Sequence, residues 1–475
     1  MSINLPGPDH IRVISIYATR WRWEGEYDPN QPHLSLGQLD EFYSIFQDQL
    51  PHVIHRSSHE ARNIAFAPTA DDTARMGTSA PVHNPVDVGV KITHVDSWLF
   101  ALPSGQVVSA LDFYVRSELS DTDPAPIVKL LEECTYARLI IDSSSLENHI
   151  AALARQKGAQ EIETNNKPLP PERHQIVFAE HAKGRRPPTD EMVKVILYRV
   201  EPPNRPEFME YRKPSGLNQI GRKLCAVTPY VSLLYGQQGY VENSVFLTVV
   251  QAVGTAARFR QIWHKAHGQV REFRRSGQEE SPGTQRRGSL EFLADDLGNL
   301  ELDLSFSVDA SADLGLLIPA LRIESFHKEL YAAMELRERA ETVSRMFIRL
   351  DASIRSELTA IEIRERHEQE KERLFWGASV GVLSLIAVPI GFLAAYFGIN
   401  ATEVSDQWSI FNMDHYWPVY VTAGCLALVP LITFRILNNR ALVTSRHDEA
   451  ERQKKLREKK RQEQLQAQSD SNAGV

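Results

Sequence analysis

The residues that could act on ions lie near the end of the chain, at the border of an apolar stretch. The tripeptide Gly398-Ile399-Asn400 follows an apolar run from Leu374 to Phe397, and a second apolar run extends from Trp417 to Leu437. The loop between the runs contains no Lys or Arg and has three carboxylates, Glu403, Asp406 and Asp414. Those carboxylates could concentrate cations at a pore mouth. An ordinary solvated loop is an equally good interpretation.

Both apolar runs are long enough to cross a bilayer core of about 30 Å. The only charged residue in either run is Arg435, close to the end of the second. Basic residues precede the first run and follow the second: Arg364, Arg366, Lys371, Arg373, Arg440, Arg446, Arg452, Lys454, Lys455, Arg457, Lys459, Lys460 and Arg461. Because basic loops stay in the cytoplasm, the pattern predicts a multi-pass protein of the plasma or inner membrane with both termini cytoplasmic. The segment from Met1 to His10 has no apolar core and predicts no signal peptide.

The composition argues against several functional classes. The net charge of −8 disfavours a nucleic-acid binder, and Cys134, Cys225 and Cys425 have no metal-ligand spacing. His264 and His267 are three residues apart and could hold a metal on a helix, but no carboxylate or Cys at useful spacing accompanies them. We find no phosphate-binding loop or nucleophile motif, so the sequence predicts a protein that is not an enzyme and has no bound cofactor.

The chain before the apolar runs changes character at about residue 240. Short strand and helix patterns alternate up to that point, and we expect a mixed α/β (α+β) domain. They include a hairpin at Val88–Leu102 and Gln106–Val115, and a strand at Val193–Val200. A long helical pattern runs from Asp313 to Arg373. Its apolar residues recur at spacings of three and four and predict a seam for another helix: Val343, Phe347, Leu350, Ile354, Leu358 and Ile361.

The expected organisation therefore has seven parts. They are a mixed α/β domain at 1–240, a helical region at 241–312, a stalk helix at 313–373, a transmembrane helix at 374–398, an acidic extracytoplasmic loop at 399–416, a second transmembrane helix at 417–437 and a basic cytoplasmic tail at 438–475.

This arrangement resembles the CorA family of divalent-cation transporters and channels. The family signature is Gly-Met-Asn at the end of the first membrane helix, and Gly398-Ile399-Asn400 stands at that place here. Pro389 lies eleven residues before the Asn, as in many family members. The resemblance covers about Asp313 to Leu437, whereas the preceding residues match only in layout.

The resemblance implies a homopentamer that carries divalent cations, with a cytoplasmic funnel of stalk helices that gates the pore. Asn400 would form a ring at the pore mouth, where amide oxygens accept hydrogen bonds from the water shell of an ion such as Mg²⁺. The other pore-lining residues, carried over by their offset from the motif, would be Gly377, Val380, Val388, Gly391 and Ala395. Ile399 replaces the family's Met, so Zn²⁺ stays open beside Mg²⁺. The expected partners are further copies of the chain, the lipid bilayer and the cation.

Two alternatives remain open at this point. The first is a CorA-like membrane effector whose N-terminal domain senses a ligand, as in antiviral signalling. The second is a membrane-anchored scaffold that conducts nothing.

Overall fold

The structure is a computed structural model of the 475-residue chain. It describes the following residues: 11–25, 34–36, 40, 45, 49–68, 91–116, 124–136, 138–162, 171–180, 187–200, 210–276, 283–309, 323–399, 414, 416–425, 428, 432 and 435.

Two β-sheets organise the N-terminal part of the chain. The strands are β1 Ile11–Arg22, β2 His52–Glu60, β3 Ile64–Phe66, β4 Ile92–Ala101, β5 Gln106–Val115, β6 Leu139–Ile141, β7 Ser144–Ser145, β8 Gln160–Glu161, β9 Arg173–Ala179, β10 Leu224–Val227 and β11 Val231–Tyr235. The large sheet has the order β10-β11-β9-β1-β5-β4-β2, with β8 also paired to β1, and the small sheet has the order β3-β6-β7. Because β11 runs parallel to β9 while the other pairs are antiparallel, the large sheet is mixed.

The hairpin of β4 and β5 lies between β1 and the edge strand β2 of the large sheet. Gly105 closes its turn with a φ of +77°, a left-handed conformation that favours glycine. β5 pairs with β1 along most of its length, from Ile11 opposite Val115 to Ala18 opposite Val108. The predicted hairpin and the predicted mixed sheet domain are therefore confirmed.

Three short helices cover one face of the large sheet: α1 Ala125–Glu133, α2 Leu146–Gln156 and α3 Asp190–Tyr198. Their apolar residues share one buried cluster with strand residues such as Val13 and Leu111. The predicted strand at Val193–Val200 is wrong, because those residues lie mostly within α3. The Thr189 side chain accepts a hydrogen bond from the Met192 backbone N–H and so caps this helix.

The long helix α4, Gly239–Ser276, packs on β1 and β5. Phe246 contacts the rings of Trp98 and Phe100 edge to face. Gly254 permits a close approach, because a Cβ atom there would stand 2.4 Å from Leu102 Cδ2. The large sheet thus lies between helices, with α1 to α3 on one face and α4 on the other.

Three further helices follow α4: α5 Gly283–Asp309, α6 Glu324–Ala333 and α7 Leu336–Ile399. The predicted stalk at 313–373 is interrupted among the described residues, since α6 ends before Met334 and Glu335 has a φ of +54°. From Leu336 the helix then continues for 64 residues, roughly 95 Å, through Pro389 to Ile399.

The predicted transmembrane helices are contradicted by the structure. Among the residues that the structure describes, no helix combines the length and the apolar character needed to span a membrane. The transmembrane helices were predicted from the length of the apolar runs and their lack of charged residues, and these two properties were not sufficient to identify a span. The predictions of two C-terminal spans, of a multi-pass plasma- or inner-membrane location and of a membrane channel are therefore wrong.

By compactness the chain divides into two units, Met1–Leu358 and Thr359–Val475. The first unit contains both sheets, the helices α1 to α6 and the first turns of α7. The second unit contains the rest of α7 and the described residues beyond it.

Candidate functional site

Five residues predicted to line a pore lie on one face of α7. The helix turns about 100° per residue, which places Gly377, Val380, Val388, Gly391 and Ala395 within one sector of its surface. All five are exposed, Val380 at 60% and Val388 at 58%. An added Cβ at Gly377 or Gly391 would meet no atom within 4 Å. In the single chain this sector, called the α7 face below, is open along its length.

The same part of α7 exposes large apolar side chains on its other sides. They are Leu374, Phe375, Trp376, Leu383, Ile390 and Phe392, with exposed fractions from 38% to 74%. A helix that is apolar all round is normally enclosed by other helices. Covering these six and the two valines of the α7 face is worth on the order of 10 kcal/mol per copy in transfer free energy.

The first part of α7 has the predicted apolar seam. Val343, Phe347, Leu350 and Ile354 are buried within the first unit. Glu357 on the same helix accepts a hydrogen bond from Arg286 of α5. The burial of these four residues agrees with the predicted seam for packing against another helix. α7 thus has a packed first part and an exposed apolar second part.

Three of the six residues predicted at the pore mouth and its acidic loop lie outside the described part of the chain. This applies to Asn400, Glu403 and Asp406. The helix α7 includes Gly398 and Ile399, but the description does not extend to the Ile399 side chain. Asp414 is described as a helical and exposed residue. The Asn ring and its acidic surroundings therefore stay predictions.

The described residues do not contain three or more His, Cys, Asp or Glu side chains grouped so as to hold a metal ion. The rings of His264 and His267 pack against a tryptophan and are not grouped with further metal-ligating side chains among the described residues. Both rings lie edge-on to Trp263, with centroid distances of 4.9 and 5.2 Å. They belong to an aromatic cluster on the surface of α4.

A pocket of about 310 Å³ lies in the first unit, where α4 meets the start of α7. Its lining consists of Glu172, Phe259, Arg260, Trp263, Glu335, Glu338, Arg339, Thr342 and Val343. Sequence reasoning missed it because Glu172, which precedes β9, is far from the helical residues in the chain. Glu335, which directly precedes α7, has a left-handed backbone with a φ of +54°.

A buried ion-pair network joins the large sheet to the start of α4. The Arg12 side chain donates to Asp112 at 2.7 Å and to Glu242 at 3.2 Å, and all three residues are buried. Burial raises the pKa of Glu242 to about 7, although the charge of Arg12 opposes that rise. The network occupies the sheet–helix interface, and its role there is structural.

A buried histidine lies on β9, the strand beside β1 in the same sheet. One ring nitrogen of His174 is 2.8 Å from Ser232 Oγ, and the other is 3.1 Å from the Pro229 carbonyl oxygen. Burial lowers the pKa of His174 to about 4, and the Pro229 carbonyl only partly opposes this. His174 is thus a neutral hydrogen-bonding residue of the interior at physiological pH.

Comparison with known proteins identifies no relative. No protein-family model matches the chain. Neither the curated proteins nor the solved structures contain a match.

Proposed function

We propose that this chain forms a homo-oligomer that passes divalent metal cations, Mg²⁺ or Zn²⁺, along an axis lined by α7. Five copies is the number that the resemblance to the CorA family implies. The observation that carries the proposal is the open α7 face, on which Gly377, Val380, Val388, Gly391 and Ala395 stand in one sector.

The exposed apolar surface around this face supports assembly with further copies. One partner helix would cover only a stripe of α7, whereas Leu374, Phe375 and Leu383 point to different sides of it. Several copies around an axis would enclose more than one side. The gain of roughly 10 kcal/mol per copy estimated above must exceed the entropy cost of association, which is of similar order.

The chemistry of the face fits a cation that keeps its water shell. Gly377 and Gly391 add no side chain, so backbone atoms and bound water can border the axis at these positions. Mg²⁺ loses its water reluctantly and is suited to a wide, weakly coordinating path. Asn400 at the end of the helix would then select the ion through amide contacts to that water.

The test is the uptake of Mg²⁺ and Zn²⁺ by the assembled full chain, measured by equilibrium dialysis. Gly391→Trp places a large side chain on the α7 face, while Ile390→Trp is the matched control about 100° around the helix. We expect Gly391→Trp to abolish uptake with an unchanged oligomeric mass, and Ile390→Trp to retain most of it. Asn400→Ala should abolish the selectivity between ions. If Gly391→Trp takes up as much cation as wild type does, the proposed axis lined by α7 is refuted.

A second candidate function is that of a ligand-controlled effector or scaffold built on the same assembly. The observation in its favour is the pocket between α4 and α7, which joins the sheet domain to the long helix. Growth arrest on expression, independent of external Mg²⁺, together with an absence of cation uptake would favour this function over transport.

A further inference from the structure

One carboxylate and both guanidinium groups of the pocket between α4 and α7 are paired with one another. The charged groups that stay unpaired in its lining are negative. The Glu172 carboxylate accepts from Arg339 at 3.1 Å and also from Arg260. It is only 11% exposed and lies between the two guanidinium groups. Both cations of the lining thus already face a carboxylate within the pocket wall.

Two further carboxylates in the lining have no such partner. Among the described residues, neither the Glu335 nor the Glu338 side chain makes an ion pair or hydrogen bond. The lining therefore has three carboxylates and two guanidinium groups, which gives a net charge of −1. A nucleotide or another phosphate ligand would meet repulsion here, whereas a cation would be attracted.

The lining of the pocket also contains two aromatic residues, Phe259 and Trp263. Trp263 is 39% exposed, so part of its indole ring faces open space, while Phe259 beside it is buried. An aromatic face attracts a cation placed within about 6 Å of the ring centre, most strongly for tryptophan. Carboxylates and an indole around one cavity are the two features that bind alkylated ammonium groups.

The size of the pocket also fits a small organic molecule. A volume of about 310 Å³ lies at the lower end of the range for ligand pockets, about 300–1,000 Å³. A bare divalent ion needs several oxygen ligands close together, and no such group exists among the described residues.

We propose that this pocket binds a small organic ammonium cation, with Trp263 against its alkyl groups and Glu335 and Glu338 near its charge. Binding would act on the start of α7, because both carboxylates belong to its first turn or the residue before it. Glu335 has a left-handed backbone conformation and directly precedes this helix. A ligand held between Trp263 of α4 and Glu338 of α7 would therefore favour one arrangement of the junction.

The binding test uses choline as the cation and 3,3-dimethylbutan-1-ol as its uncharged isostere, with titration calorimetry on the full chain. We expect choline to bind at least tenfold more tightly than the alcohol. Trp263→Leu and Glu338→Gln should each weaken choline about fivefold or more. Glu341→Gln, one turn further along α7 and paired with Arg337, should leave binding unchanged.

Two controls keep the outcome decisive. Far-ultraviolet circular dichroism of each variant shows whether it has folded, and Glu335→Gly removes a carboxylate at a backbone position that glycine prefers. Equal binding of choline and the alcohol, or tight binding of adenosine monophosphate that depends on Trp263, would overturn the proposal. Absence of choline binding to the folded wild-type chain would overturn it as well. This test measures the binding of choline, whereas the test of the proposed function measures the uptake of Mg²⁺ and Zn²⁺. Either test can therefore fail while the other succeeds.

Discussion

The substitution Glu242→Gln should change how the stability of the chain depends on pH. In the folded chain the pKa of this carboxyl is about 7, compared with 4.5 for an ordinary glutamate, chiefly because the residue is buried. Between these two pH values the unfolded chain releases the proton and the folded chain keeps it. The folded state therefore loses stability as pH rises through this interval.

The size of the effect follows from the shift. A difference of about 2.5 pH units at about 1.4 kcal/mol per unit gives about 3 kcal/mol. The side-chain amide introduced by Glu242→Gln would keep a hydrogen-bond acceptor for Arg12 and cannot ionise. The stability of Glu242→Gln relative to wild type should thus increase by about 3 kcal/mol from the acidic to the neutral end of this interval.

His174→Gln is the companion variant, because its effect has the opposite direction. The folded pKa of about 4 lies below the ordinary value of 6.5. As pH falls from 6.5 to about 4 the unfolded chain gains a proton that the folded chain does not take up, and stability is lost. The variant lacks this loss, so its stability relative to wild type should increase as pH falls, again by up to about 3 kcal/mol.

The assay is urea unfolding of the full chain at half-unit steps from about pH 4 to about pH 7.5, followed by far-ultraviolet circular dichroism. Differences between each variant and wild type cancel the contributions of all other titrating groups. Differences that stay constant within about 0.5 kcal/mol across the range would show that the two groups are not buried as described.

Two further predictions concern the backbone. Gly254→Val should destabilise the sheet domain by about 1–3 kcal/mol because its Cβ would stand 2.4 Å from Leu102 Cδ2. Gly268→Ala on the same helix has open space around it and should stabilise by about 0.5–1 kcal/mol in the same urea assay. Glu335→Gly should stabilise by about 1 kcal/mol since it relieves a left-handed φ of +54°. Glu338→Gly, inside the helix, should instead destabilise by about 1 kcal/mol, and equal effects of the two glycine substitutions would refute the strain at Glu335.

Patterns that repeat over several residues gave correct predictions of the fold. The hairpin predicted at Val88–Leu102 and Gln106–Val115 is present as β4 and β5, because strand periodicity and turn chemistry are local properties. The spacing of Val343, Phe347, Leu350 and Ile354 predicted their burial for the same reason.

The errors arose where a local signal was ignored or was insufficient. The helix at Asp190–Tyr198 has a Thr-Asp-Glu start that outweighs its β-branched residues, and the strand prediction overlooked this cap. The break at Glu335 has no Gly or Pro to mark it. The pocket joins Glu172 to α4 and α7, a contact that depends on tertiary packing. The apolar stretches were judged by length and absence of charge, and the described helices do not support the spans inferred from them.

The most direct test of the central claim is the mass of the assembly formed by the full chain, measured by light scattering after size-exclusion chromatography. Wild type is compared with Val388→Glu on the α7 face and with Ile390→Glu, which lies away from that face on the same turns. An axis lined by α7 would bring the new carboxylates of all copies together, so Val388→Glu should lower the mass far more than Ile390→Glu. A wild-type mass of several copies, close to five, is the predicted result. A wild-type monomer at micromolar concentration, or equal effects of the two substitutions, would contradict the proposed assembly.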